Sequence, residues 1–509
     1  MASSENPRYR PDPLITPHKP GATRFGPLAP DAPEIKSDAK PSKPARSSRP
    51  RKQGRSRRPR GRWKPTWGSL TRLRGRFKWR LGWRVRVAAF AMVSLIAILA
   101  FRDSDAGRGA TLPSVRKGGP IELPAPQRFP DQDTVRTREG RWVTRYAADE
   151  ILQARAERYM NQYRPEGAVI VVCDLRTGQI RALVERDSNQ TSSQPRLALG
   201  TTFPAASLAK IVTAAAVLER GMYRPHDDLP LVGGAHTLYR AQLNVPAHGR
   251  YNTVTLREAF ARSINPTFGL LGLRAGAQSL RDMAERLGFK SSPRPATIQA
   301  ASASLPGGGA AADTADEVQA RLTPPDTGDF ALAEVASGFT TATTISPLHA
   351  LRIARAIGQD GRLLPVRFTR ELQSLDNGRT VTLPREDIQP FASPSTLQSL
   401  RTLMEATVTA GTARRGFRRN MTEADFQRLE MGGKTGSLTG HNPPGRYEWF
   451  IGYARHKEHP DQGIAVAVMM INRTYLAVHA AEMAGLVIRD WSRYSVPYPD
   501  EDGTYLAKR

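Results

Sequence analysis

Fifteen residues from Val87 to Phe101 form an apolar run broken only by Ser94, and no other stretch limits what the chain can fold into so sharply. Counted back to Leu81 the segment has 21 residues, and a helix needs roughly 20 to cross a bilayer. Trp79 and Trp83 favour the headgroup level, Arg84 and Arg86 can snorkel toward it, and the Lys/Arg excess lies on the N-terminal side. The expectation is a single transmembrane anchor over 81–101, with the N-terminus inside and the rest outside. The core run would also suit the h-region of a cleaved signal peptide, with a small-residue site near Ala106, although an n-region reaching back to Met1 is unusually long for one.

Charge supports the same division. Residues 1–86 hold 24 Lys/Arg against 5 Asp/Glu, so +19 of the chain's net +28 is confined there. From Lys43 to Arg86 no acidic residue occurs, and Pro, Ser and Gly interrupt every candidate helix. Such a stretch cannot bury enough apolar surface to offset its ordering entropy, so 1–80 is expected to be a disordered basic tail. Runs such as Arg55, Arg57, Arg58 and Arg60 can attract phosphate, but the apolar segment behind them favours a membrane surface over nucleic acid as partner. Cys173 is the only cysteine, which excludes an intrachain disulfide and a Cys-rich metal site, and it falls in an apolar run suited to a packed strand.

Residues 102–140 mix Gly, Pro and Ser with alternating charges and read as a juxtamembrane linker, with folded sequence expected over 141–495 and a tail over 496–509. A helix near 147–163 precedes the strand Ala168–Cys173, a turn ending in Gly178, and a second strand Ile180–Val184. Helical periodicity marks 204–220, 255–264, 277–287, 331–339, 347–357 and 396–410. Strand patterns return at 430–435, 448–455 and 463–472, before a last helix near 477–491. The fold class expected is α/β (α+β): one antiparallel sheet from the early hairpin and the late strands, flanked by the N- and C-terminal helices, with the central helices as a second lobe. A cleft between sheet and lobe would hold the site. Residues 300–328, rich in Ala and Gly, are expected to be a flexible insertion.

Three short patterns carry chemistry. Ser207-Leu208-Ala209-Lys210 opens an apolar helix, where Pro204 suits the first helical position and residues three apart share a face. A desolvated, neutral Lys210 there can take a proton from the Ser207 hydroxyl. The pattern alone is cheap, since Ser37-Asp38-Ala39-Lys40 and Ser114-Val115-Arg116-Lys117 also match, but those lie outside any helix signal. Ser263-Ile264-Asn265 follows a capping-box pattern at Thr255 and Glu258, and Pro266 is expected to leave Ser263 and Asn265 displayed on a turn; taken singly this is ordinary turn chemistry. Lys434-Thr435-Gly436-Ser437 lies at a strand edge, with a cation for a carboxylate, hydroxyl donors, and a glycine that lets an extended peptide approach. Lys and Gly also serve to blunt edge strands.

In that order, each on the element its role requires, the three patterns resemble the transpeptidase domain of penicillin-binding proteins, a family sharing its fold with serine β-lactamases. Phe203-Pro204-Ala205-Ala206 before Ser207, Thr255 to Phe268, Ala336 to Leu348, and Gly411-Thr412-Ala413 extend the likeness over about 150–492. The resemblance implies Ser207 as nucleophile on D-Ala-D-Ala stem peptides and Lys210 as base. It implies Ser263 as proton relay and Asn265 as holder of the peptide amide, with Lys434, Thr435, Gly436 and Ser437 along the terminal carboxylate. Backbone N–H groups of Ser207 and Ser437 would form the oxyanion hole, and β-lactams would acylate Ser207.

The resemblance, joined to the anchor expected over 81–101, implies a single-pass inner-membrane enzyme of cell-wall cross-linking with its catalytic domain outside the cytoplasm; other cell-wall synthesis proteins are candidate partners, and no metal or cofactor is expected. Carboxypeptidase, endopeptidase and non-enzymatic penicillin-binding scaffold or sensor remain alternatives. A β-lactamase is disfavoured because Ala241 stands where class A enzymes carry a Glu two residues before Leu243-Asn244, and class D enzymes have a branched aliphatic residue at the place of Asn265. His226, His236, His248 and His441 lack paired ligands at metal spacing. The stretch from Arg102 to Tyr146 leaves no room for a glycosyltransferase module and little for a pedestal domain.

Overall fold

A computed structural model describes residues 120–122, 132–137, 140–188, 197–200, 203–246, 251–290, 303–304, 310–312, 320–382, 388–441 and 443–495, all within the unit Leu112–Arg509. The expected basic tail 1–80, the anchor 81–101 and the C-terminal tail 496–509 lie outside the described residues. Among the described residues no helix is long and apolar enough to cross a membrane.

Five strands form the sheet that organises the domain: β1 Gly167–Asp174, β2 Ile180–Asp187, β3 Leu429–His441, β4 Pro444–His456 and β5 Gly463–Asn472. Their order is β3-β4-β5-β1-β2, and every neighbouring pair is antiparallel. The run Ala168–Cys173 and the whole of β5 are buried, which is why both read as continuous apolar stretches without alternation. Val169, Val171 and Cys173 face one core, and Ala168, Ile170 and Val172 face the other. Burial pushes the Cys173 thiol up to about 12, leaving it an inert packing residue. Asp174 makes the hairpin turn, its Oδ1 accepting from the Thr177 amide at 2.7 Å, and Gly178 takes φ +73°.

The terminal helices α1 Glu150–Tyr163 and α7 Ala480–Tyr494 cover one face, tied where Tyr159 Oη donates to Asp490 and Arg155 reaches that carboxylate at 3.2 Å. Against the other face lie α5 Pro347–Gly358 and the helical lobe, which includes α2 Ala209–Glu219, α3 Asn265–Ala275, α4 Asp329–Ser337 and α6 Pro394–Thr409. This is the mixed fold expected, an antiparallel sheet with helices on both faces. β3 is an edge strand, and its free edge borders the lobe.

Several boundaries differ from the sequence reading. Folded structure begins before Arg141: Asp133–Thr137 pairs with Gly140–Tyr146, which also pairs with Thr369–Ser374. Asp133–Thr137 has Val135 as its single apolar residue, so it resembles a linker until its partner is known. Three short strands, 303–304, 310–312 and 320–321, fall inside the stretch expected to be a flexible insertion, and Leu322 beyond them is buried. Pro204 does not open a helix; Phe203–Pro204 is a short strand paired with Thr344–Ile345, and the α-helix starts at Ala209.

Candidate active site

Every residue of α2 from Ala209 to Leu218 is buried, so this helix is apolar all round and carries its N-terminal end into the middle of the domain. Ser207 precedes it on a single 3₁₀ turn, Ala206–Leu208, with Ala206 held at φ +49°. A non-glycine residue there costs on the order of 1–2 kcal/mol, so neighbours must hold it. The Ala205 amide donates to the Thr343 carbonyl at 2.9 Å, and Trp449 Nε1 donates to the Pro204 carbonyl at 2.9 Å. Gly338, itself at φ +67°, presses so closely that a Cβ on it would overlap the Ala206 carbonyl. The nucleophile turn is thus clamped between β4 and the end of α4.

Lys210 is fully buried one turn along. Its Nζ lies 2.8 Å from Ser207 Oγ, 2.7 Å from Asn265 Oδ1 and 2.6 Å from the Ser337 carbonyl. Burial, and then repulsion from Lys434, hold its pKa well below the ordinary lysine range. A neutral amine has two hydrogens and one lone pair, and here it meets two acceptors and one hydroxyl. In the neutral form the hydrogens would go to Asn265 Oδ1 and the Ser337 carbonyl, leaving the lone pair for the Ser207 O–H.

Asn265 corrects the sequence reading. It is buried and opens α3 rather than standing displayed on a turn. Pro266 is no obstacle in the first helical turn, where the missing N–H has no intrahelical acceptor. Asn265 Nδ2 donates to the His236 carbonyl at 3.0 Å, which fixes the amide with Oδ1 toward Lys210. Ser263 does stand on the connecting turn, at φ +57°, after the helix Leu256–Ala261, whose capping box at Thr255 and Glu258 is present.

On the opposite wall, Lys434 is also fully buried, its Nζ 3.0 Å from Ser263 Oγ and 2.8 Å from the Thr435 carbonyl. Burial lowers its pKa to about 7. Each lysine sits near an aromatic ring, Lys210 at 5.7 Å from Phe268 and Lys434 at 5.4 Å from Phe260. Thr435 shares a hydroxyl contact with Thr412. Gly436 passes the nucleophile turn, where a Cβ would come within 3.2 Å of the Ala205 carbonyl. Ser207, Ser263, Asn265, Thr435, Gly436 and Ser437 line one cleft of about 600 Å³.

All eight site residues expected from the sequence therefore gather at this cleft or in its walls. Ser337 and Gly338 lie in the stretch Ala336 to Leu348 that extends the likeness but have no role assigned from sequence, and neither do His236 and Trp449; Ser337 and His236 contribute only backbone carbonyls, which no residue type announces. Gln242, beside Ala241, folds inward and donates to the Val232 and Gly234 carbonyls, both at 3.0 Å. Among the described residues no group of His, Cys, Asp and Glu is placed to hold a metal ion.

The family model for the penicillin binding protein transpeptidase domain matches residues 168–487, more than half of the chain. The chain belongs to that family. The peptidoglycan D,D-transpeptidase PbpA of Mycobacterium tuberculosis is 32% identical over 171 residues, covering 28% of this chain and 34% of that protein. Its namesake in Mycolicibacterium smegmatis is 26% identical over 294 residues, covering 56% and 53%. The chain thus spans about a third to a half of these relatives' lengths. Among solved structures, penicillin-binding protein A of M. tuberculosis as an imipenem acyl-enzyme complex superposes with a TM-score of 0.50 at 24% identity, over 68% of this chain and 79% of that one. Penicillin-binding protein 3 of M. tuberculosis with aztreonam gives 0.52 at 19%, over 72% and 82%; at these identities the likeness is one of fold.

Proposed function

We propose that this chain is a membrane-anchored serine D,D-transpeptidase that cross-links peptidoglycan stem peptides ending in D-Ala-D-Ala, and that β-lactams acylate it at Ser207. The observation that carries this is Lys210: a buried Nζ held between Asn265 Oδ1, the Ser337 carbonyl and Ser207 Oγ, 2.8 Å away, with its pKa kept well below the ordinary lysine range. Relatives named as peptidoglycan D,D-transpeptidases, and one solved as an imipenem acyl-enzyme, support the reading.

In this mechanism Ser207 O–H passes its proton to Lys210 as Oγ bonds to the penultimate D-Ala carbonyl carbon. The developing oxyanion meets the Ser207 and Ser437 amides. As the C–N bond breaks, the leaving D-Ala nitrogen takes a proton through Ser263, whose hydroxyl is hydrogen-bonded to Lys434. The leaving group's carboxylate lies against Lys434, Thr435 and Ser437, with Gly436 admitting the peptide backbone, and Asn265 orients both Lys210 and the substrate amide. An amine of a second stem peptide then displaces the acyl group from Oγ. With Ala241 offering no carboxylate to activate water and Gln242 turned inward, hydrolysis of the acyl-enzyme is slow.

The apolar segment 81–101 would anchor the domain in the bacterial inner membrane, with the basic tail 1–80 on the cytoplasmic side. The test uses the full chain with a peptide ending in D-Ala-D-Ala, with and without a second peptide bearing a free amine. Release of D-Ala with a cross-linked product is expected. Release with hydrolysis alone in both cases would make the protein a carboxypeptidase, and no release would leave it a binding scaffold.

A further inference from the structure

The cleft does not end at Ser437. An arm continues past it between β4, the helix Arg414–Asn420 and the N-terminal end of α7, lined by Arg415, Arg419, Arg446, Glu448, His479 and Glu482. None of these residues has a part in acylation. Glu448 stands directly across the ladder from Ser437, where Cα atoms are about 4.5–5.5 Å apart. An acidic residue between Tyr447 and the apolar run Trp449-Phe450-Ile451 is costly to bury unless it is paired. It is 8% exposed, with Oε2 at 3.0 Å from His479 Nδ1 and Oε1 at 3.5 Å from Arg446 Nε. Both partners are mostly exposed, at 57% and 63% of the side chain, so either can move aside for a ligand cation.

Two arginines of the helix Arg414–Asn420, Arg415 and Arg419, line the same cleft. Arg419 is paired with Glu482 at 3.0 Å, whereas Arg415 makes no side-chain ion pair or hydrogen bond among the described residues and lines the same cleft as Thr412 and Thr435. The cleft here therefore offers both a partly buried carboxylate and a guanidinium with no side-chain partner among the described residues. A ligand complementary to both is a primary ammonium with a carboxylate a few bonds away.

We propose that this arm is the acceptor site of the transfer step: Glu448, backed by His479, receives the ammonium of the incoming amine, and Arg415 holds a carboxylate on the same molecule. The inference rests on the transpeptidase reading above and assigns the second substrate within it. The ammonium gives one proton to the Glu448–His479 pair, which returns it to solvent. The neutral nitrogen then bonds to the acyl carbon, the C–Oγ bond breaks, and the nitrogen's second proton passes through Lys210 to Ser207 Oγ. No oxidant or further reactant is required. Water needs neither charge, so the site favours aminolysis without speeding hydrolysis.

The experiment measures product partition by the full chain acting on a D-alanyl thioester donor, with D-alanine or ethylamine as acceptor. Benzylpenicillin acylation rates are measured alongside as the control for fold and donor side. In Glu448→Gln the ratio of aminolysis to hydrolysis is expected to fall at least about tenfold for both amines, the loss of one charge-assisted hydrogen bond, while the acylation rate holds. In Arg415→Ala the ratio falls for D-alanine and not for ethylamine. A Glu448→Gln ratio within about twofold of wild type overturns the site, as does a parallel loss of penicillin acylation, which marks a merely structural role. Absence of acylation in the wild-type chain removes the transpeptidase reading itself, and this site with it.

Discussion

Lys434→Met separates the cost of burying a lysine from its use. Burial lowers the Lys434 pKa from 10.5 to about 7, and at 1.36 kcal/mol per unit the fold disfavours its charged form by roughly 5 kcal/mol. Below about pH 7 both folded and unfolded chains hold the proton, so the folded state bears the whole cost. Between about pH 7 and 10.5 the unfolded chain keeps a proton that the folded chain has released, and stability rises with pH. Above 10.5 the difference vanishes. Methionine keeps most of the volume and has no such titration, but it forfeits hydrogen bonds to Ser263 Oγ and the Thr435 carbonyl, about 1 kcal/mol each. Lys434→Met should therefore be more stable than wild type by about 3 kcal/mol at pH 6, and the advantage should shrink and reverse by pH 10. Thermal unfolding of both full chains from pH 6 to 10 reads this directly. A stability difference independent of pH would refute the reasoning. Acylation should fall in the same variant, because the carboxylate loses its cation. Without Lys434's repulsion the Lys210 pKa rises, so the acid limb of the acylation profile should move to higher pH.

Lys210→Met should lower the penicillin acylation rate by about 10²- to 10⁴-fold, the range for a positioned general base, as read by stopped-flow or intact mass. Gly338→Ala adds a Cβ where the Ala206 carbonyl lies, at φ +67°; it should cost roughly 1–3 kcal/mol of stability and slow acylation by displacing the nucleophile turn. Asn265→Ala leaves the Lys210 amine and the His236 carbonyl each short of a partner. It should cost about 1–3 kcal/mol in thermal or urea unfolding and reduce acylation.

The sheet was legible because its central strands are buried on both faces and write themselves as apolar runs, Ala168–Cys173 and Gly463–Asn472. The order of the three motifs located the cleft, since a serine at a helix start, a serine before Asn-Pro and a lysine before Thr-Gly each occupy an element recognisable from local sequence. What escaped was set by tertiary contact. Asp133–Thr137 has no apolar pattern of its own and becomes a strand only beside Gly140–Tyr146. The positive φ of Ala206 is imposed by Gly338 and Trp449, residues far away in the chain. The sequence predicts Asn265 on a turn because a proline disfavours helix at the residue before it, whereas Pro266 sits in the first turn of a new helix that Asn265 opens. Glu448 opens an expected strand, and its place opposite Ser437 follows only from the strand register.

The most direct test of Ser207 as nucleophile is the intact mass of the full chain after benzylpenicillin treatment, followed over several hours beside a Ser207→Ala variant. One adduct on the wild-type protein, persisting for hours and absent from the variant, is expected. An adduct that survives the substitution, or a wild-type chain that never gains mass, would contradict the assignment of Ser207. Loss of the adduct with rapid drug turnover would make the protein a β-lactamase instead.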